Sequence, residues 1–205
     1  MSAHLRGWLP WTAWFRVYGG PALLARYGLL LIVSLLVGDR RIHAIGGLPL
    51  AFPFRVNGMV MVAAAIVAVA ACTPELPPLP RPLRVRVATA AWALLVQLPV
   101  GAMLCLAWYF REPQDVIMAV RVFLVSVVPG LLTTILGYPQ IAWLPPVLLS
   151  LTSWLFPWRM FIGGRVVDFN MFAVSSSSWM PVAVLGILDL VCCVALGWRR
   201  SSDTG

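Results

Sequence analysis

Lysine is missing from this chain of 205 residues; all 15 basic side chains are arginine. Without lysine there is no P-loop to hold nucleotide phosphates and no amine for a Schiff base, so the chain is not expected to hydrolyse ATP alone. Acidic side chains are scarce as well, seven in all. They form no DDxxD pair, and GxSxG, HExxH and any acid–histidine pairing on one span surface are also lacking. The expectation is therefore a non-enzyme with no catalytic residues. The two histidines, His4 and His43, have no HxxxH or CxxC companions, which speaks against a metal site. Cys72, Cys105, Cys192 and Cys193 fall inside or at the ends of apolar runs and read as small hydrophobes rather than a disulfide framework. A cleavable leader is not expected either, since Trp8, Trp11 and Trp14 interrupt the first 18 residues.

What the chain has in abundance is apolar surface. Hydrophobic residues make up 61%, the mean hydropathy is +0.91, and only 11% of residues are charged. This composition predicts an all-α, polytopic integral membrane protein forming a single transmembrane domain, with room for about six spans of roughly 20 residues. The net charge of +8 is carried by short arginine clusters between apolar runs. Anionic lipid headgroups account for that distribution better than nucleic acid does.

The predicted spans lie at about 21–38, 56–73, 87–109, 116–138, 141–158 and 179–198. Ahead of them, Trp11, Trp14, Phe15 and Tyr18 recur at helical spacing, while Arg16 falls off their stripe, so 9–19 reads as an interfacial amphipathic helix. Residues 39–57 read as a polar loop that partly re-enters the interface. Residues 73–86 form a stiff loop, because Pro74, Pro77, Pro78, Pro80 and Pro82 exclude a long regular helix there. The stretch 159–178, with Gly163, Gly164, Arg165, Asp168, Asn170 and four serines, is too polar to cross. Arg81, Arg84, Arg86, Arg199 and Arg200 directly abut spans, and placing them inside puts both termini in the cytoplasm.

Three polar side chains fall within spans. Asp189 stands in the middle of 179–198, where an ionised group is most costly. Val182, Gly186 and Cys193 share its helical face, a narrow strip that would let another helix come close. Asp189 is either a substrate- or proton-linked carboxyl or a helix-packing group. Gln97, beside Pro99, reads as a satisfier of backbone freed by that proline or as a substrate contact. Arg121 sits about five residues inside the membrane edge, where it can snorkel to the interface or pair with an acid.

An N-terminal interfacial helix, six spans with both ends inside, a charged loop between spans two and three and a longer outer segment before span six resemble the membrane (permease) subunit of an ABC-2-type exporter. The resemblance is one of layout and covers essentially the whole chain. It implies a bacterial cytoplasmic-membrane protein that exports a hydrophobic or amphipathic compound, such as a peptide or antibiotic. It also implies a separate cytoplasmic ATPase carrying the ATP, no cofactor in this chain, and a second copy or related membrane subunit. By the same resemblance Trp11, Trp14, Arg16, Glu75, Arg81, Arg84 and Arg86 would contact the ATPase, Asp189, Gln97 and Arg121 would line the substrate path, and 159–178 would hold short re-entrant helices. The density of proline in 73–86 departs from the family pattern and makes that loop a rigid strut. Two other classes stay open on the sequence: an accessory or immunity protein that scaffolds a membrane complex, and a small integral membrane enzyme.

Overall fold

The computed structural model describes residues 15, 19–38, 40–45, 48–72, 83–109, 115–155, 159–162, 165–168 and 179–198. Among the described residues, six α-helices carry the architecture: α1 (Gly20–Val37), α2 (Val56–Ala71), α3 (Leu83–Tyr109), α4 (Asp115–Ile135), α5 (Leu144–Leu155) and α6 (Trp179–Trp198). Two antiparallel hairpins interrupt them, β1 (Arg41–Ile45) with β2 (Leu48–Arg55), and β3 (Arg159–Ile162) with β4 (Arg165–Asp168).

The helices begin where the chain chemistry lets them. Gly19 takes a left-handed φ of 66° and Pro21 follows at the start of α1, where a missing N–H costs nothing. Leu83 opens α3 directly after Pro82 by the same logic. The proline-rich segment therefore ends earlier than expected: Arg84 and Arg86 belong to the first turn of α3 and not to a loop. Pro145 and Pro146 are accommodated in the first turn of α5, after a short 3-10 turn at Pro139–Ile141.

Four helices, α1, α3, α4 and α6, are long and apolar enough to cross a membrane. Span 179–198 matches α6 residue for residue. The other two expected spans are shorter. α2 has 16 residues, and α5 has only 12, about 18 Å of helix against a hydrocarbon core of roughly 30 Å. α5 is confined between the prolines at its start and β3, which begins four residues after its end. The expected interfacial helix at 9–19 lies outside the described residues except for Phe15 and Gly19.

Neither polar loop is irregular throughout. A Gly-Gly pair separates the strands of both hairpins, Gly46-Gly47 after Ile45 and Gly163-Gly164 after Ile162, the two-residue connection that favours tight reversal. Residues 39–57 are thus largely a hairpin rather than an irregular loop. In 159–178 the described residues, 159–162 and 165–168, are strand, and the rest of the segment to which the resemblance assigns re-entrant helices lies outside the described residues. Pro49 and Pro53 are tolerated in β2 because a two-stranded ribbon has only edges.

The helices alternate in direction. Gly197 near the end of α6 lies against Arg86 at the start of α3, and Gly130 late in α4 lies against Val69 late in α2 and Ala142 just before α5. Phe15 meets Trp92 edge-on with ring centroids 6.3 Å apart, and the Trp92 indole N–H donates to the Ala71 carbonyl at 3.0 Å, which satisfies an orphan acceptor at the end of α2. One end of the bundle thus gathers the start of α1, the end of α2, the start of α3 and the end of α6. At the other end the Ser34 hydroxyl donates to Asn57 Oδ1 at 2.7 Å and ties α1 to α2. The core is built mainly from α2 and α4. Ala64, Ala65 and Ala68 of α2 and Val127 and Leu131 of α4 are fully buried, and more than half of the crossing segment of α4 is enclosed by protein.

Candidate functional site

Asp189 is the eleventh residue of α6, about 15 Å along the helix and so near the middle of its crossing length. It is buried at 7% exposure, which meets the requirement that a mid-membrane carboxyl face protein. Its partner comes from α3: Gln97 Nε2 donates to Asp189 Oδ1 at 3.2 Å. The same amide reaches Cys193 Sγ at 3.4 Å, and the Cys193 thiol, one turn beyond Asp189, points to Oδ1 at 4.0 Å. Three side chains from two antiparallel helices therefore form one small polar cluster. Gln97 serves the carboxyl on α6, which replaces the expectation that it repairs backbone around Pro99. Cys193 is fully buried and belongs to the cluster, although its sequence context reads as purely hydrophobic. The one available signal was its position four residues after Asp189, which sets it on the same helix face.

Gln97 and Asp189 of this cluster line a cleft of about 510 Å³ between α3, α4 and α6. Leu94, Leu98 and Gly101 of α3 form one wall and Val120, Phe123 and Leu124 of α4 another, with Asp189 between them. Leu98 is 66% exposed and Gly101 is also exposed, so the α3 wall of the cleft reaches the outer surface of the bundle. Above the cluster nothing comes within 4 Å of a Cβ added at Gly186 or Gly101. The strip of small residues on the Asp189 face does not dock a helix along its whole length. Close approach occurs instead at Gly197, where a Cβ would stand 2.5 Å from the Arg86 carbonyl oxygen and 3.1 Å from Ala90 Cβ.

Arg121 is 2% exposed on α4, enclosed by protein rather than lying along the outer surface of the bundle. It lies between the wall residues Val120 and Phe123 in sequence but is not part of the cleft lining. Of the proposed partner contacts, Arg86 is half-buried at the end of the bundle that gathers α1, α2, α3 and α6. Arg84 is placed in the first turn of α3, its side chain lying outside the described residues, as do Trp11, Trp14, Arg16, Glu75 and Arg81 entirely. Among the described residues no group of three histidine, cysteine or acidic side chains is arranged to hold a metal.

Chemically, the cluster offers one carboxyl oxygen already engaged by an amide donor, in a site with apolar walls. That arrangement can bind and orient a polar group carried into the membrane. Comparison of the chain with protein-family models, with curated proteins and with solved structures gives no match in any of the three.

Proposed function

We propose that this chain is a membrane-spanning subunit of an ATP-driven exporter of a hydrophobic or amphipathic compound, and that the Asp189–Gln97 cleft is its substrate site. The observation that carries this reading is the placement of a hydrogen-bonded carboxyl at mid-crossing depth in the lining of a cleft whose other walls are almost wholly apolar. A purely structural carboxyl gains nothing from facing a cavity, whereas a compound entering from the bilayer meets its first polar group there.

Energy comes from a separate cytoplasmic ATPase, and a second copy or a related membrane subunit completes the pathway. The alternation of the six helices supports six crossings, with α2 shielded by its neighbours so that its length need not match the bilayer and α5 the shortest of the proposed crossings. The bundle end where Gly197 meets Arg86 also carries Arg84, Arg199 and Arg200 close by in sequence, which supports a cytoplasmic face there, with both termini inside a bacterial cytoplasmic membrane. The same end is where Arg81, Arg84 and Arg86 would meet the ATPase.

Purification of the full chain from its native membrane in mild detergent tests the assignment. A co-purifying P-loop protein whose ATP turnover rises with the chain present is the expected result. Recovery of the chain with a large polytopic protein and no P-loop partner would overturn the exporter reading in favour of an accessory role.

A further inference from the structure

We infer that the cleft between α3, α4 and α6 selects a single-chain cationic amphipath, with the ligand's ammonium group against Asp189 and its hydrocarbon body along the leucine and phenylalanine walls. The inference deepens the substrate-site reading above and rests on it for the cleft's purpose, though not for its chemistry.

Charge complementarity decides the class. Among the described residues Asp189 is the one ionisable side chain lining the cleft, and Gln97 is the one other polar side chain there. Gln97 uses its amide N–H, a donor, to reach Asp189 Oδ1, so the pair as built favours a carboxylate acceptor over a second donor. An anionic ligand would place like charge against Asp189, and a neutral apolar one would leave the carboxyl without any gain over lipid. An ammonium group supplies opposite charge and N–H donors together, the combination that makes a buried carboxylate tolerable.

Size and depth exclude the commonest membrane amine. A volume of about 510 Å³ suits one small molecule. A phospholipid amine is accompanied by a phosphate, which would bring an anion close to Asp189, and its headgroup belongs at the interface rather than midway along α6. The remaining walls contribute only apolar surface, and Gly101 leaves open the space through which a chain would enter from the lipid.

The test uses the purified full chain in phosphatidylcholine nanodiscs, with tritiated dodecylamine as probe, dodecanol as its neutral counterpart, and empty discs for background. Saturable binding of dodecylamine near one per chain, with no saturable binding of dodecanol, is expected. Asp189→Asn should weaken the amine at least tenfold while the elution profile and melting temperature hold. Equal binding of amine and alcohol, or unchanged affinity in Asp189→Asn, overturns the inference. Should Asp189→Asn fail to assemble, Gly101→Leu decides: it keeps the carboxyl, meets no clash at Cβ and fills the entrance, so amine binding should be lost, and retained affinity is the overturning result. Discs of phosphatidylethanolamine should give the same affinity; a tenfold loss there would assign the cleft to aminophospholipid and overturn the single-chain ligand. Amine selectivity without a P-loop partner removes the exporter and leaves the cation site standing, whereas a P-loop partner without selectivity removes the cation site alone.

Discussion

The same two helices, α3 and α6, are packed tightly at one end and parted toward the other. At the start of α3, the Arg86 carbonyl and Ala90 lie against Gly197 of α6, and Ala90, Ala93, Cys193 and Leu196 of the two helices are buried. From Leu98 to Ala102 the facing surfaces separate, Gly186 has nothing beside it, and the cleft opens. Gln97 and Asp189 stand at the boundary between these two regimes. A hydrogen bond placed there holds the helices at the last point where they touch and presents its acceptor to the first point where a ligand can enter. Small residues act differently in the two halves: Gly197 admits a neighbouring backbone, whereas Gly101 and Gly186 leave room for something that is not protein.

The largest effect should come from breaking the closed half. Gly197→Leu drives a side chain into the Arg86 carbonyl, backbone that cannot rotate away, and should destabilise the fold by at least about 3 kcal/mol. Gly186→Leu, three turns away on the same helix, should change stability by less than about 1 kcal/mol and can gain from helix propensity. Fraction folded against denaturing detergent measures both. Similar losses in the two variants would erase the distinction between the halves.

Next in size is the boundary itself. Gln97→Leu removes the one carboxamide that meets Asp189 and leaves the carboxyl without that donor, a cost of about 1–2 kcal/mol. Asp189→Asn keeps size and hydrogen-bonding capacity, so its cost should stay near 0.6 kcal/mol, roughly the average for polar pairs inside membranes. Export should respond in a different order. Asp189→Asn should abolish it with assembly intact, because the charge is lost where the ligand meets the protein. Full export by Asp189→Asn, with misassembly of Asp189→Leu, would make the carboxyl a packing group.

How much of this the sequence revealed depends on whether the signal is local. α6 was legible to its end residues because an apolar run bounded by Ser178 and Arg199 needs no tertiary information. Asp189 and Gln97 were each visible as polar groups in apolar runs. Their meeting was not, since 92 residues separate them and no periodicity relates one helix's rotation to another's. The hairpins were hidden by composition: arginine and glycine read as loop, while RIHAI and RMFI, each followed by Gly-Gly, carried the strand and turn signal. Pro82 was read as the last break of a loop, although a proline just before a helix serves equally as its start. The burial of Arg121 was unreadable because snorkelling and enclosure make the same demand on sequence position.

The smallest effect belongs to a polar contact that lies wholly in the closed half. The Tyr27 hydroxyl on α1 donates to the Val96 carbonyl on α3 at 3.0 Å, one residue before Gln97, with the ring 3% exposed. Val96 already belongs to a helix, so its carbonyl is a second-use acceptor, and Tyr27→Phe removes a hydroxyl while keeping the ring that fills the space. The expected cost is about 0.6 kcal/mol. Export and amine binding should be unchanged, because the Val96 side chain faces the core and does not line the cleft. The comparison with Asp189→Asn is then direct: two buried hydrogen-bond variants on either side of one helix, of similar energetic size, only one of which alters function. If Tyr27→Phe reduced amine binding as strongly as Asp189→Asn, α3 would have to respond as a unit to both of its faces. The cleft would then depend on the position of that helix more than on the carboxyl in its lining.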